Sequence, residues 1–300
     1  MLFHRSIDSK GVISLDGLDS RLNKEEKEIL KVLANARSNQ LLLHLLADLE
    51  ISVFSDVYNW FQKKLVILHP DTRLDYSRVI SSNKLATVEF CELLREFDLD
   101  VSSLIMVPIP LYQLKGYLPE FILTEVEKML KKNPDKPVIT SGSSKGFFRI
   151  QMDKKGELQA EKIGARTKYS DEVYFDFTEL SDGTLRIFDF IPMLLELRNN
   201  DSTFLIDEIG RSLHPMLVKK LLQVYLEMDK RHDEQLIATT HSDYLLNFDS
   251  VRKDEIWFVE KKWGASKLIP LSEYRFENRT DRNLRNDYLK GRYGGIPVLR

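Results

Sequence analysis

"FLIDEIGRSLHP", residues 204–215, decides the fold. Three apolar residues of the kind a buried strand needs run into two acids, Asp207 and Glu208. A tight polar turn then leads to a helix opened by Pro215, where a missing N–H costs nothing because it has no intrahelical partner. A continuous apolar run points to a parallel strand covered on both faces. In an open parallel sheet, ligands collect at the carboxyl ends of the strands, which is where both acids stand. Adjacent residues at such an end point different ways, so one carboxylate can serve a metal while the other faces an attacking water. An oxygen-only donor set suits Mg²⁺, which keeps several waters and takes phosphate oxygens. The plainer reading is a helix cap or a solvated acid pair.

Upstream, "LSDGT" (180–184) falls between a strand, "VYFDF", and a helical stretch. Ser181 offers a hydroxyl, Gly183 lets backbone approach an anion, and the helix that follows begins with unpaired N–H groups and a positive dipole end. As an isolated feature this is an ordinary Ser/Asp N-cap. Pro192 inside that helix is expected to kink or divide it. Downstream, "QLIATT" (235–240) reads as a second strand buried on both sides, and "ATTHSDYLL" (238–246) brings His241 out at its end. If the two strands are parallel, that end is the one carrying Asp207 and Glu208. A neutral imidazole there can contact a phosphate or orient a water. A histidine at a strand end is more often structural. "RSLHP" (211–215) is a short loop, and by itself a turn.

Each signal is weak alone, but their order is not. Ser-Asp-Gly, an apolar strand with Asp-Glu, Ser-Leu-His-Pro, and an apolar strand with Thr-His-Ser together resemble the C-terminal half of an ABC-type ATPase. "LSDGT" resembles the signature motif, "FLIDE" the Walker B strand, "RSLH" the D-loop and "THS" the switch histidine. The signature differs from the Ser-Gly-Gly-Gln form of transporter ATPases. "SDGT", "DEIGRSLHP", "ATTHS" and "YLKGRYGGIPVL" (288–299) are similar instead to the stand-alone bacterial ATPases of abortive-infection and overcoming-lysogenization type, relatives of the chromosome-structuring ATPases. The front of the chain, "LFHRS" through "VYNWFQKKLVILHPDT", resembles the middle region of such proteins.

The resemblance implies ATP and Mg²⁺ as cofactors and composite sites in a head-to-tail homodimer. Asp207 would hold the metal, Glu208 would polarise the attacking water and His241 would sense the γ-phosphate. Ser181, Asp182 and Gly183 would reach nucleotide bound on the partner, and Ser212 and His214 would couple the two sites.

ATP in this family also needs a P-loop, G-x-x-x-x-G-K-[ST], and that pattern does not occur in the sequence. "SGSSKGFF" (141–148) holds Gly, Ser and Lys together but lacks the spacing and the Ser/Thr for magnesium, and it belongs in a hairpin turn. The expectation is that the P-loop lobe lies outside this chain, through truncation or as a separate chain acting in trans, the third option being outright loss.

The rest of the chain is read by its punctuation. Residues 1–136 form a hairpin around Ser9-Lys10-Gly11, three helical patterns between Lys24 and Gln62, a short strand "KLVILHP", and helices near 83–97 and 119–132. Between those last two, "VPIPLYQLKGYLP" is too rich in proline to continue either helix. Residues 137–178 break into short runs with turns between them, an antiparallel meander. Residues 179–300 are the C-terminal half of the ATPase core, with a last strand, "EIWFVEK" (255–261), and a basic tail. The fold class expected is α/β: part of a P-loop NTPase sheet with an inserted helical lobe and a β meander.

The 300 residues carry a net charge of −2 and 43% apolar residues, which excludes a strongly basic nucleic-acid binder and permits a sizeable core. One cysteine, Cys91, excludes an internal disulfide framework. No stretch reads as a secretory signal or bilayer span, so the expectation is a cytoplasmic protein without a membrane partner. From Arg275 to Arg300 seven Arg/Lys face three Asp/Glu, a surface able to touch DNA phosphate, though such runs are usually just solvated. With 59 residues after His241, any nuclease or toxin is expected to be a partner protein. The rival class is a non-hydrolysing module that binds DNA or an effector.

Overall fold

The computed structural model describes residues 4–7, 13–16, 20, 22–36, 41–48, 52–72, 84–141, 146–170, 172–229, 232–247, 251–274 and 284–296. The chain opens with β1 (His4–Ile7) paired antiparallel to β2 (Ile13–Asp16), the expected hairpin, its turn at Ser9-Lys10-Gly11 lying outside the described residues. Helices α1 (Lys24–Ala36), α2 (Leu42–Asp48) and α3 (Ser52–Asn59) follow, with a small core of their own around Leu30, Leu46 and Phe54. A capping box opens α1: Asn23 Oδ1 accepts from the Glu26 N–H while Glu26 accepts from the Asn23 N–H, both at 2.8 Å. A π-helical turn at Trp60–Lys64 delivers the chain into β3 (Leu65–Leu68).

The central sheet is parallel, in the order β10-β9-β3, with β9 at Thr203–Ile206 and β10 at Gln235–Ala238. Its third member is therefore the short strand that precedes Pro70, from within the stretch read as mainly helical. Helix α7 (Asp182–Asn199) and helix α8 (Pro215–Glu227) flank β9 in the chain, which is the βαβ grammar expected. Pro192 leaves α7 undivided. Eleven side chains of that helix are buried, from Leu185 to Leu197, and this burial outweighs the one hydrogen bond the proline removes.

β9 is buried as expected, but β10 is not: Ile237 is 43% exposed. The register explains it. Ile67, Leu205 and Ile237 stand opposite one another across the sheet, and successive residues point to opposite faces. Phe204, Ile206 and Leu68 face the main core, whereas Ile67 and Ile237, on the outer strands, form an apolar row on the far face. The apolar run in β10 reported hydrophobicity correctly; coverage of both faces depends on a further layer.

The second sheet is antiparallel, in the order β4-β7-β6-β5, with β8 also on β7. β5 (Val138–Ser141), β6 (Phe147–Met152), β7 (Leu158–Thr167) and β8 (Tyr174–Asp176) are the expected meander. β4 (Val101–Ile109) is an addition that the prolines concealed. It is an edge strand, so Pro108 removes no interior ladder donor. Helices α5 (Leu111–Tyr117) and α6 (Glu120–Lys132) cover one face of this sheet through Leu114, Val126 and Leu130 against Phe148 and Ile150. The "SGSSKGFF" segment joins two antiparallel strands, β5 and β6, as a hairpin connection does, with residues 142–145 outside the described set.

α4 (Lys84–Arg95) and α7 bring the two sheets into one core. A chain of aromatic contacts runs Phe90–Phe188–Phe177–Phe147, with ring centroids 5.7, 5.5 and 5.1 Å apart and edge-on geometry. The core thus draws on residues from all three stretches read in the sequence. After β10 a 3₁₀ turn (Asp243–Asn247) leads to β11 (Trp257–Lys262), whose partner β12 (Ala265–Pro270) the sequence reading did not identify. α9 (Leu284–Leu289) closes the described chain, with Phe258 stacked between Tyr288 and Tyr293. Among the described residues no helix is long and apolar enough to cross a membrane.

Candidate functional site

Parallel strands end on a common edge, and here that edge collects His69–Thr72 after β3, Asp207–Glu208 after β9 and Thr239–His241 after β10. The ladder continues past the strand ends: the Asp207 N–H donates to the Leu68 carbonyl and the Thr239 N–H to that of Ile206, both at 2.9 Å. His241 Nε2 lies 3.6 Å from Glu208 Oε1, with the imidazole 91% exposed and the carboxylate 42% exposed. The structure therefore brings Asp207, Glu208 and His241 together at one open sheet edge.

Glu208 adopts φ 52°, in the left-handed region that costs a non-glycine residue roughly 1–2 kcal/mol. It is held by Thr239: the Glu208 N–H donates to Thr239 Oγ1 at 2.9 Å, and the same hydroxyl donates to Asp207 Oδ1 at 2.7 Å. Thr239 is the residue that motif reading passed over. The available signal was its place in "ATTHS", two residues before His241, but a threonine at a strand end looks like any β-former.

The Ser-Asp-Gly corner forms a second locus. Ser181 caps α7, its Oγ accepting from the Thr184 N–H at 3.1 Å and sharing a 2.9 Å hydrogen bond with Thr184 Oγ1. This is the plain N-cap role, and it leaves Ser181 and Asp182 exposed at the helix's positive end. Gly183 sits under the loop after Glu208: a β-carbon there would stand 3.0 Å from the Ser212 carbonyl. Ser212 has φ 61°, a second left-handed residue in that loop. His214 caps α8, its Nδ1 accepting from the Met216 N–H at 3.3 Å, with Pro215 in the first turn. Ser181, Asp182, Gly183 and Ser212 thus gather at the start of α7, while His214 is committed to the α8 cap.

Beside that corner lies a cavity of about 180 Å³ lined by Pro70, Asp71, Asp182, Arg186, Asp189, Arg211 and Ser212. Arg186 is buried, 4.0 Å from Asp189, and donates to the Thr72 carbonyl at 3.2 Å. Arg211 pairs with Asp71 at 3.1 Å. These contacts tie the loop after β3 to both the Ser-Asp-Gly corner and the loop after β9.

Among the described residues, no group of three or more His, Cys, Asp and Glu is arranged to hold a metal. One carboxylate, Asp207, stands at the sheet edge with hydroxyl support. That donor set fits Mg²⁺, which is commonly held by one or two carboxylates plus substrate phosphates and water rather than by an all-protein cage.

Residues 26–247 match the family model described as "AAA domain, putative AbiEii toxin, Type IV TA system". The matched span contains both loci, the parallel sheet and the antiparallel sheet of β4 to β8. Comparison with curated proteins finds no match.

Proposed function

The chain belongs to this AAA-domain family, whose members are nucleotide-binding proteins of ATPase type, and from that premise we propose that it carries the Walker B, signature and switch elements of an ATP-hydrolysing phage-defence ATPase. The observation that carries the proposal is the acid pair with His241 at the carboxyl edge of a parallel sheet, Nε2 to Oε1 3.6 Å. Asp207 would hold Mg²⁺, which when bound neutralises charge between the phosphates. Glu208, beside His241 at the open edge, accepts the proton of the attacking water. His241, being exposed, is free to meet the terminal phosphate. Ser181, Asp182 and Gly183 present a helix N-terminus to the nucleotide of a second subunit, with Ser212 and His214 in the loop between. The ATPase is of abortive-infection type, acts in the cytoplasm as a head-to-tail dimer, and works with a separate nuclease or toxin.

The row Ile67–Leu205–Ile237 supports a further part of this reading. A parallel sheet is ordinarily covered on both faces. Here two outer residues of the row are 47% and 43% exposed. A P-loop lobe beyond the described residues, in the same protein or in trans, supplies the covering layer and the phosphate cradle.

Glu208→Gln tests the function in the protein complete with its P-loop. Loss of the base lowers turnover by roughly 10²–10⁴-fold and accumulates a nucleotide-bound dimer, read by phosphate release and light scattering. Unchanged turnover removes Glu208 as the base.

A second reading, a non-hydrolysing module that binds DNA or an effector, is favoured by the β11–β12 hairpin. Trp257, Val259 and Leu268 share its outer face, each more than half exposed, and Trp263 at the turn is fully exposed. Wild-type protein that binds a partner yet never turns over ATP would select it.

A further inference from the structure

Four hydrogen-bonding groups leave the end of β9, and all four meet one residue. The Ile206 carbonyl accepts from the Thr239 N–H at 2.9 Å and the Ile209 N–H donates to the Thr239 carbonyl at 3.0 Å. Between them, the Thr239 hydroxyl receives the Glu208 N–H and donates to Asp207 Oδ1. The first two bonds are backbone ladder, available to any residue at this position. The last two need a hydroxyl.

We propose that Thr239 is the positioning residue of the acid pair, its single hydroxyl orienting Asp207 toward the metal and holding Glu208 in the backbone conformation that faces the water. This rests on the ATPase reading above. A hydroxyl has one proton and two lone pairs, so donating to Asp207 leaves it an acceptor for Glu208. The direction of both bonds is thereby set, with Asp207 Oδ1 engaged as an acceptor by Thr239. Carboxylates that bind metals are routinely oriented by such outer partners.

Stability alone does not account for the arrangement. Thr239 is exposed, and a solvent-facing hydroxyl bond contributes little to folding because water replaces it on opening. What water cannot reproduce is one fixed hydroxyl joining the side chain of one acid to the backbone of the next. Glu208 at φ 52° is an uncommon conformation that persists only where surroundings hold it.

The experiment titrates Mn²⁺, a paramagnetic stand-in for Mg²⁺, into the intact protein with AMP-PNP, following free Mn²⁺ by electron spin resonance. Wild type is compared with Thr239→Val, Thr239→Ser and Asp207→Asn, and AMP-PNP affinity is also measured in EDTA. Thr239→Val keeps the shape and loses the hydroxyl; the expected result is a 10–100-fold weaker Mn²⁺ site with metal-free nucleotide affinity unchanged. Thr239→Ser restores wild-type binding. If Thr239→Val binds Mn²⁺ as wild type does while Asp207→Asn is impaired, the positioning role is overturned and the ATPase reading stands. Equal loss in the valine and serine variants assigns the effect to methyl packing and overturns it as well. If Asp207→Asn binds Mn²⁺ as tightly as wild type, the metal role of Asp207 fails and takes the inference with it.

Discussion

The Ser212 carbonyl oxygen lies 3.0 Å from where a β-carbon on Gly183 would stand. Gly183 stands in the first turn of α7 and Ser212 in the loop following Glu208, and a side chain on Gly183 would require that loop to give by a few tenths of an ångström. Because the neighbour is backbone, it cannot rotate away.

Gly183→Ala is therefore expected to go against the usual trend. Alanine in place of glycine within a helix ordinarily gains about 1 kcal/mol. Overpacking here opposes that by about 1–3 kcal/mol, so the variant should be no more stable than wild type, and Gly183→Val less stable still. Urea unfolding measures it. A gain of about 1 kcal/mol for Gly183→Ala would show that the Ser212 loop yields freely.

A charge on the uncovered row separates folding from assembly. Ile237 is 43% exposed, so Ile237→Lys should change the chain's own unfolding free energy by no more than about 0.5 kcal/mol. The same variant should lower nucleotide turnover and dimer formation in the complete protein, because a lysine cannot be buried unpaired under another layer. Urea unfolding and light scattering provide the two readings. Full turnover and assembly in Ile237→Lys would mean that nothing packs on this row.

Asp201 sets a pH dependence at the other end of the sheet. Its carboxylate accepts from Lys64 Nζ at 3.2 Å and from the Asp233 N–H at 3.3 Å, with His232 Nδ1 3.4 Å away. The Lys64 hydrogen bond first, then that of Asp233, hold its pKa below the ordinary carboxylate value. A folded-state pKa below the unfolded one gives stability that is present above the unfolded value and lost as pH falls through the folded value. Asp201→Asn should thus melt below wild type above about pH 5, the margin closing as pH falls below the ordinary carboxylate range and through the folded-state pKa. Thermal melts across that range decide it; a margin that widens on acidification would reverse the sign assigned to Asp201.

Much of the site was legible because its signals are local. The apolar run before Asp207, the proline at the start of α8 and the Ser181 cap are set by neighbours within a turn or a strand, and each lies where the periodicity placed it. The misreadings share one cause. The prolines of "VPIPLYQLKGYLP" barred a continued helix without announcing β4, yet on an edge strand the donor that Pro108 lacks is not needed. The apolar text of β10 implied coverage, but a run of side chains does not say whether a layer lies above it.

The sequence by itself determined which residues follow β9 and β10, and hence that Asp207, Glu208 and His241 are the groups on offer, because strand length and helix entry are written within a few positions. Only the tertiary structure decided that β3 is the third strand, that Ile67 and Ile237 share an uncovered face, and that Thr239 holds both acids from 32 residues away. Pairing across a sheet depends on which strands become neighbours, and a hydroxyl that bridges two residues at such a distance leaves no periodic trace in the chain.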